Sequence, residues 1–128
     1  MEDVIIDRIR SHRDLMVWRK DMDLVDAVYT ITEQFPVKEE YRLTSQLVRA
    51  AISVPANIAE GQGRATSRDF AHFLIIAKAS LAEVDTHVEI ALRRGHLSDG
   101  DAASISLLVD ELSRMRLRGK IVTRGHRH

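Results

Sequence analysis

The chain has 128 residues, 30% charged and 45% hydrophobic, with six glycines, two prolines and no cysteine. That length suits one domain, the composition argues against disorder, and the lack of cysteine excludes disulfides and thiolate metal sites. Nineteen basic residues balance nineteen acidic ones, so the basic excess typical of a dedicated nucleic-acid binder is missing.

The opening segment, MEDVIIDRIRSHRD, lacks the long apolar core of a signal peptide, and residues 1–13 read as an N-terminal arm. No apolar run approaches about 18 residues, so no membrane span is expected and the cytoplasm is the expected location. A first helix is predicted over residues 14–34, with Asp14 as N-cap and Pro36 just beyond its end. At about 100° per residue it carries two apolar stripes. Leu15, Trp18, Met22, Val25 and Tyr29 form one; Val17, Leu24, Val28, Ile31 and Phe35 form the other. Only Asp21 interrupts this wide apolar surface.

The second helix, about Arg42 to Glu60, places Leu47, Ala50, Ala51, Val54 and Ile58 on one face. Pro55 lies within that row; it removes a backbone donor and crowds the carbonyl of Ala51. A kink at Pro55 and a cap at Gly61 are therefore predicted. Gly61-x-Gly63 with Arg64 has no preceding strand and no Lys-Ser/Thr, so it reads as a cap and a turn, not a phosphate loop. Thr66 and Asp69 have capping-box spacing at the start of a third helix, Ser67 to Arg94. Phe70, Leu74, Ala77, Leu81, Val84, Val88 and Ala91 alternate four and three, the seam of coiled-coil-like packing. Gly95 is its predicted C-cap. Ser98 and Asp101 start a fourth helix with core positions Ile105, Leu108, Leu112 and Met115, ending near Gly119. Residues 120–128 read as a flexible basic tail.

Short connections favour an all-α, antiparallel up-down-up-down four-helix bundle over residues 14–119. One stripe per helix fills the core of a single chain. The remainder, Val17, Leu24 and Ile31 on helix one and Ile75, Ile76 and Ile90 on helix three, is the expected interface of a homo-oligomer.

No nucleophile-base constellation is present, so catalytic residues, cofactor and metal are all expected to be none. Di-iron bundles use Glu-x-x-His motifs; this chain offers only Asp69-x-x-His72 and the helical pair Glu83 and His87. Arg49, Glu60 and Glu83 are expected to form a structural network, Arg49 bridging to one of the carboxylates. After Glu111 no acidic residue follows, while Arg114, Arg116, Arg118, Lys120, Arg124 and Arg127 do. Arg42, Arg64, Arg68, Arg114, Arg118 and Lys120 are the candidate nucleic-acid contacts, lining one end or the lumen of a ring. Asp21, Asp23 and Asp26 make helix one acidic by contrast.

Several segments stand in a distinctive order: Asp14-Leu15-Met16-Val17-Trp18-Arg19-Lys20, Phe35-Pro36, Glu40-Tyr41-Arg42-Leu43, and Gln46 to Ala51. Ser53-Val54-Pro55-Ala56-Asn57-Ile58-Ala59-Glu60-Gly61, Phe73-Leu74 to Ala77, and Ser80-Leu81-Ala82-Glu83 complete the order. The set resembles the four-helix-bundle proteins encoded in intervening sequences of bacterial 23S rRNA genes, with a departure at Lys78-Ala79. That resemblance implies a closed ring, typically a pentamer, and no established enzymatic activity. A related branch, the accessory variability determinant of diversity-generating retroelements, implies a reverse transcriptase and nucleic acid as partners. The expected function is thus a non-enzymatic ring that binds RNA or another nucleic acid, with a pure protein-interaction scaffold as the alternative.

Overall fold

The computed structural model describes residues 11–117. Arg118, Gly119, Lys120, the tail 120–128 and most of the arm 1–13 lie outside the described residues. Among the described residues the chain is all α, with four α-helices and no strand. They are α1 (Met16–Thr32), α2 (Ser45–Gln62), α3 (Ser67–Arg93) and α4 (Asp99–Leu117). A 3-10 turn, His12–Asp14, precedes α1; a second, Val37–Glu39, and a π turn, Glu40–Thr44, join α1 to α2. Each helix packs on its sequence neighbours and α1 packs on α4, which closes the set around one core.

Helix α1 departs from expectation at its start and in its orientation. Asp14 is not the N-cap, because the amide of Leu15 bonds back to His12 O (2.9 Å) and draws Asp14 into the 3-10 turn. The extended cap residue is Leu15, with no side-chain cap bond; its buried side chain anchors the turn instead. Val17, Leu24 and Ile31, expected at a subunit interface, are only 3%, 0% and 5% exposed. Their spacing of seven residues, two helical turns, points all three into this chain's own core, out of reach of a second subunit. Met22 and Tyr29, on the other stripe, are 37% and 50% exposed. Asp21, read as an interruption, is fully buried with the core stripe. Phe35 is buried just before Pro36, whose extended backbone ends the segment.

Helix α2 buries Leu47, Ala50, Ala51, Val54, Pro55 and Ile58 and continues past Pro55 to Gln62. Gly61 is therefore not its cap; Gly63 holds that position, in right-handed helical geometry. Gly61 is a close-approach residue. A Cβ there would sit 2.7 Å from Phe70 Cδ1 and 2.9 Å from Phe73 Cβ, so only glycine lets α3 come this near. The most extensive helix contact in the fold is that of α2 with α3.

Helix α3 matches its predicted seam: Ala77, Leu81, Val84, Val88 and Ala91 are buried and Phe70 and Leu74 pack against them. Thr66 Oγ1 accepts from the Asp69 amide (3.1 Å), the expected cap bond. At the other end Gly95 takes φ +76°. Its amide bonds to Leu92 O (3.0 Å) and that of His96 to Ala91 O (2.9 Å), a Schellman motif. Ser98 Oγ caps α4 by accepting from the Asp101 amide (3.1 Å). Ala102, Ile105, Val109 and Leu112 turn α4 into the core. Fully burying each such Leu, Ile or Val contributes about 1.5–3 kcal/mol.

Candidate interaction surfaces

Polar contacts gather at three places: midway along α2 and α3, and in the turns linking α2 to α3 and α1 to α2. At the waist Ser53 Oγ and Ser80 Oγ lie 2.8 Å apart, and Asn57 Nδ2 donates to Ser53 O (2.8 Å) and Oγ (3.0 Å). Ser80 is buried, so this cluster satisfies hydroxyls that would otherwise be stranded inside the α2–α3 contact. It forms where Pro55 leaves the Ala51 carbonyl without its usual helical donor.

The expected network of Arg49, Glu60 and Glu83 does not form within the chain. Glu60 accepts instead from Arg64, one turn on, at 2.6 Å. Arg49 and Glu83 are exposed and make no ion pair among the described residues. The short helical reach of Arg64 wins because an i,i+4 partner costs less side-chain ordering than one on another helix. His87, one turn after Glu83, keeps Nδ1 buried with no hydrogen-bond partner among the described residues. His72, three residues after Asp69, is exposed and meets the edge of Phe73 at 5.4 Å. No group of three side chains suited to a metal ion occurs among the described residues.

The arginines expected to share one end are divided. Arg64 stands over the Phe73 ring (5.0 Å) while paired with Glu60, so its guanidinium is fixed by both charge and π contact. Arg68 follows it at the start of α3, exposed. Arg42 lies beyond the opposite end of α2, a helix about 27 Å long at 1.5 Å per residue, and so cannot join them. Arg114 is exposed near the end of α4, one turn after Glu111, which holds Lys20 of α1 at 3.1 Å. Near Lys20, Arg19 Nε donates to Arg13 O (2.8 Å), and Arg13 stands over Trp18 at 5.4 Å. Arg13 and Arg19 were not singled out in the sequence; the Trp18 contact comes from the 3-10 turn, which has no clear sequence signal. Ile75 (67%) and Ile90 (42%) are exposed on α3, and Ile76 is half-buried.

Near Arg42, Glu39 accepts a hydrogen bond from His96 Nε2 (2.8 Å), with Phe35 against the imidazole at 5.8 Å. The hydrogen bond from His96 holds the Glu39 carboxyl below its ordinary value of 4.5, helped by the Leu43 amide and by the charges of His96 and Arg42; burial opposes them. Gln34 Nε2 donates to Asp101 Oδ2 close by (3.1 Å). Glu39 and His96 are 57 residues apart, and no local spacing betrays such a pair.

Residues 13–118 match the family model of the 23S rRNA-intervening sequence protein. The chain belongs to this family. A crystal structure of a protein with unknown function from the S23 ribosomal protein family, from Bacteroides thetaiotaomicron VPI-5482, superimposes with a TM-score of 0.73. The two are 20% identical over 84% of this chain and 100% of that one, a likeness that speaks to the fold. No curated protein is significantly similar to this chain. Within this family member, the segment from Ser53 to Gly61 and the one beginning at Ser80 form the polar waist and the glycine contact between α2 and α3. None of the described helices is long and apolar enough to cross a membrane.

Proposed function

We propose that this family member is a non-enzymatic, cytoplasmic homo-oligomer, a ring of five bundles, that binds RNA or another nucleic acid through one basic end. Its up-down-up-down topology is supported by contacts that advance along one helix and retreat along the next. Ser53 meets Ser80 while Gly61 meets Phe70 and Phe73; Lys20 meets Glu111 while Gln34 meets Asp101. A kink at Pro55 is supported by the donor this residue removes. In that topology Arg64, Arg68, Arg114, Arg13 and Arg19 share one tip, and Glu39, Asp99 and Asp101 lie at the other.

The observation that carries the binding reading is this exposed arginine cluster around a guanidinium pre-set by Glu60 and Phe73. Arginine presents a planar, always-charged fork suited to phosphate, and repetition around a ring multiplies the field of a modest patch. Assembly is supported by the outer face of α3, where Ala71, Ile75, Ala79, Ala82 and Ile90 are exposed along one side, an apolar strip unusual on a soluble monomer.

Anisotropy titration of a labelled structured RNA over a range of salt tests the reading. Affinity should fall linearly on a log-log plot, and Arg64→Ala with Arg68→Ala should flatten the slope by about one per lost phosphate contact. A slope unchanged in the double variant refutes this end as the site, and absent binding at low salt leaves the protein scaffold. Light scattering should give five chains per particle.

A further inference from the structure

Two exposed faces of the bundle are apolar and opposite in charge. On α1, Met22 (37%) and Tyr29 (50%) stand two turns apart beside Asp23, Asp26 and Glu33, all exposed. On α3, Ala79, Ala82 and Ile90 are exposed beside Lys78. Asp23, Asp26, Glu33 and Lys78 make no ion pair among the described residues. Both faces point away from the shared core, so they cannot meet within one chain. Their heights along the bundle follow from cross-helix contacts. Lys20 meets Glu111 and Gln34 meets Asp101, which puts Ala27, midway along that stretch of α1, about level with Ser106. Ser106 Oγ in turn donates to Asp85 Oδ1 (3.4 Å), so Ala27 and Asp85 share one height.

We propose that the α1 face of one copy receives the α3 face of the next, with Met22 against Ala79 and Asp23 against Lys78. This contact rests on the assembly proposed above and supplies the surface that its α3 strip meets. In the proposed topology α1 and α3 run the same way, and a closed ring with helices along its axis holds every copy at one height. Counting back from Ala27 and Asp85, Met22 is level with Ser80, one residue from Ala79. Counting forward, Tyr29 is level with His87, one residue from Thr86 and three from Ile90. Large side chains on α1 thus oppose small ones on α3, as knobs oppose holes. Asp23 lies about 100° round α1 from Met22, and Lys78 about 100° the other way round α3 from Ala79. Facing helices mirror each other, so these two charges fall on the same flank of the seam. They differ in height by about 4.5 Å, a step the four-carbon stem of lysine spans. A contact between unlike faces is heterologous, the kind that generates rings.

Because the chain has no cysteine, single introduced cysteines report which faces meet. Met22→Cys and Ala79→Cys proteins are prepared separately, mixed, allowed to exchange subunits and treated with a short bismaleimide. The mixture should give a covalent pair holding one chain of each kind, at least about tenfold more than either protein gives alone. Asp23→Lys and Lys78→Asp should each raise the concentration at half-assembly, read by light scattering, at least about threefold, and the two together should restore it. Three results overturn the α1–α3 contact while leaving assembly in place: Met22→Cys linking to itself, no mixed pair from particles that still scatter as oligomers, or a double reversal that restores nothing. A parent that scatters as single chains at high concentration removes the assembly, and this contact with it.

Discussion

Replacing Gly61 by alanine tests the close approach of α2 and α3. The new methyl would lie 2.7 Å from Phe70 Cδ1, 2.9 Å from Phe73 Cβ and 3.3 Å from Phe70 Cε1. The Phe70 ring can rotate, but Phe73 Cβ is fixed to the α3 backbone, so the helices must part. Overpacking of this kind costs about 1–3 kcal/mol. Alanine's better helix propensity offsets up to about 1 kcal/mol, leaving a net loss of about 1–2 kcal/mol. Gly63 supplies the internal control, since a Cβ there meets nothing closer than Glu60 O at 3.7 Å. Its backbone is already right-handed (φ −79°), so Gly63→Ala should stabilise by about 0.4–1 kcal/mol through the unfolded chain. Urea melts of both variants should therefore separate by about 2 kcal/mol, with opposite signs relative to the parent. A Gly61→Ala protein as stable as Gly63→Ala would refute the tight packing.

Leu24→Ala should destabilise by about 2–5 kcal/mol, the range for a buried leucine; a chemical melt checks it, and a loss that disappears on dilution to monomer would restore Leu24 to an interface. Ser98→Ala should cost about 1 kcal/mol by uncapping α4, read as a lower thermal midpoint. For Glu39, the depressed folded value means that the ionised form favours folding. That contribution is complete above pH 4.5, its ordinary value, and is lost as pH falls through the lower folded value. Thermal midpoints followed from pH 7 to 3 should converge between the parent and Glu39→Gln as acidity rises, and curves that stay parallel would contradict the His96 bond.

The regular parts of the fold were legible because local rules and packing agree there. The unbroken four-three alternation from Phe70 to Ala91, the Thr66 and Ser98 caps and the left-handed Gly95 all appear where pattern and turn chemistry put them. Helix α1 was ambiguous for a physical reason: both of its faces are apolar, and periodicity cannot say which one the other helices will cover. The exposed face holds Met22 and Tyr29, a flexible thioether and a ring with a polar tip, both tolerant of water. Gly61 looked like a cap because glycine commonly ends helices; Phe70 and Phe73, across a turn, give it another task. Arg49 has the fork to reach a carboxylate on another helix, but Glu60 has a nearer partner in Arg64. Long-range pairs such as Glu39 with His96 depend on topology alone, so spacing carries no trace of them.

The serine contact at mid-length of α2 and α3 bears on more than local polarity. An oily seam by itself permits one rod to slip along another by a turn, about 5.4 Å, with similar residues meeting again. Such slippage would part Ser53 from Ser80 and cost about 1–3 kcal/mol for each hydroxyl left dry and unmatched. The pair thereby works as a dowel, holding α2 and α3 at a single alignment. Arg64 and His96, at the ends of those two rods, stay at a set separation.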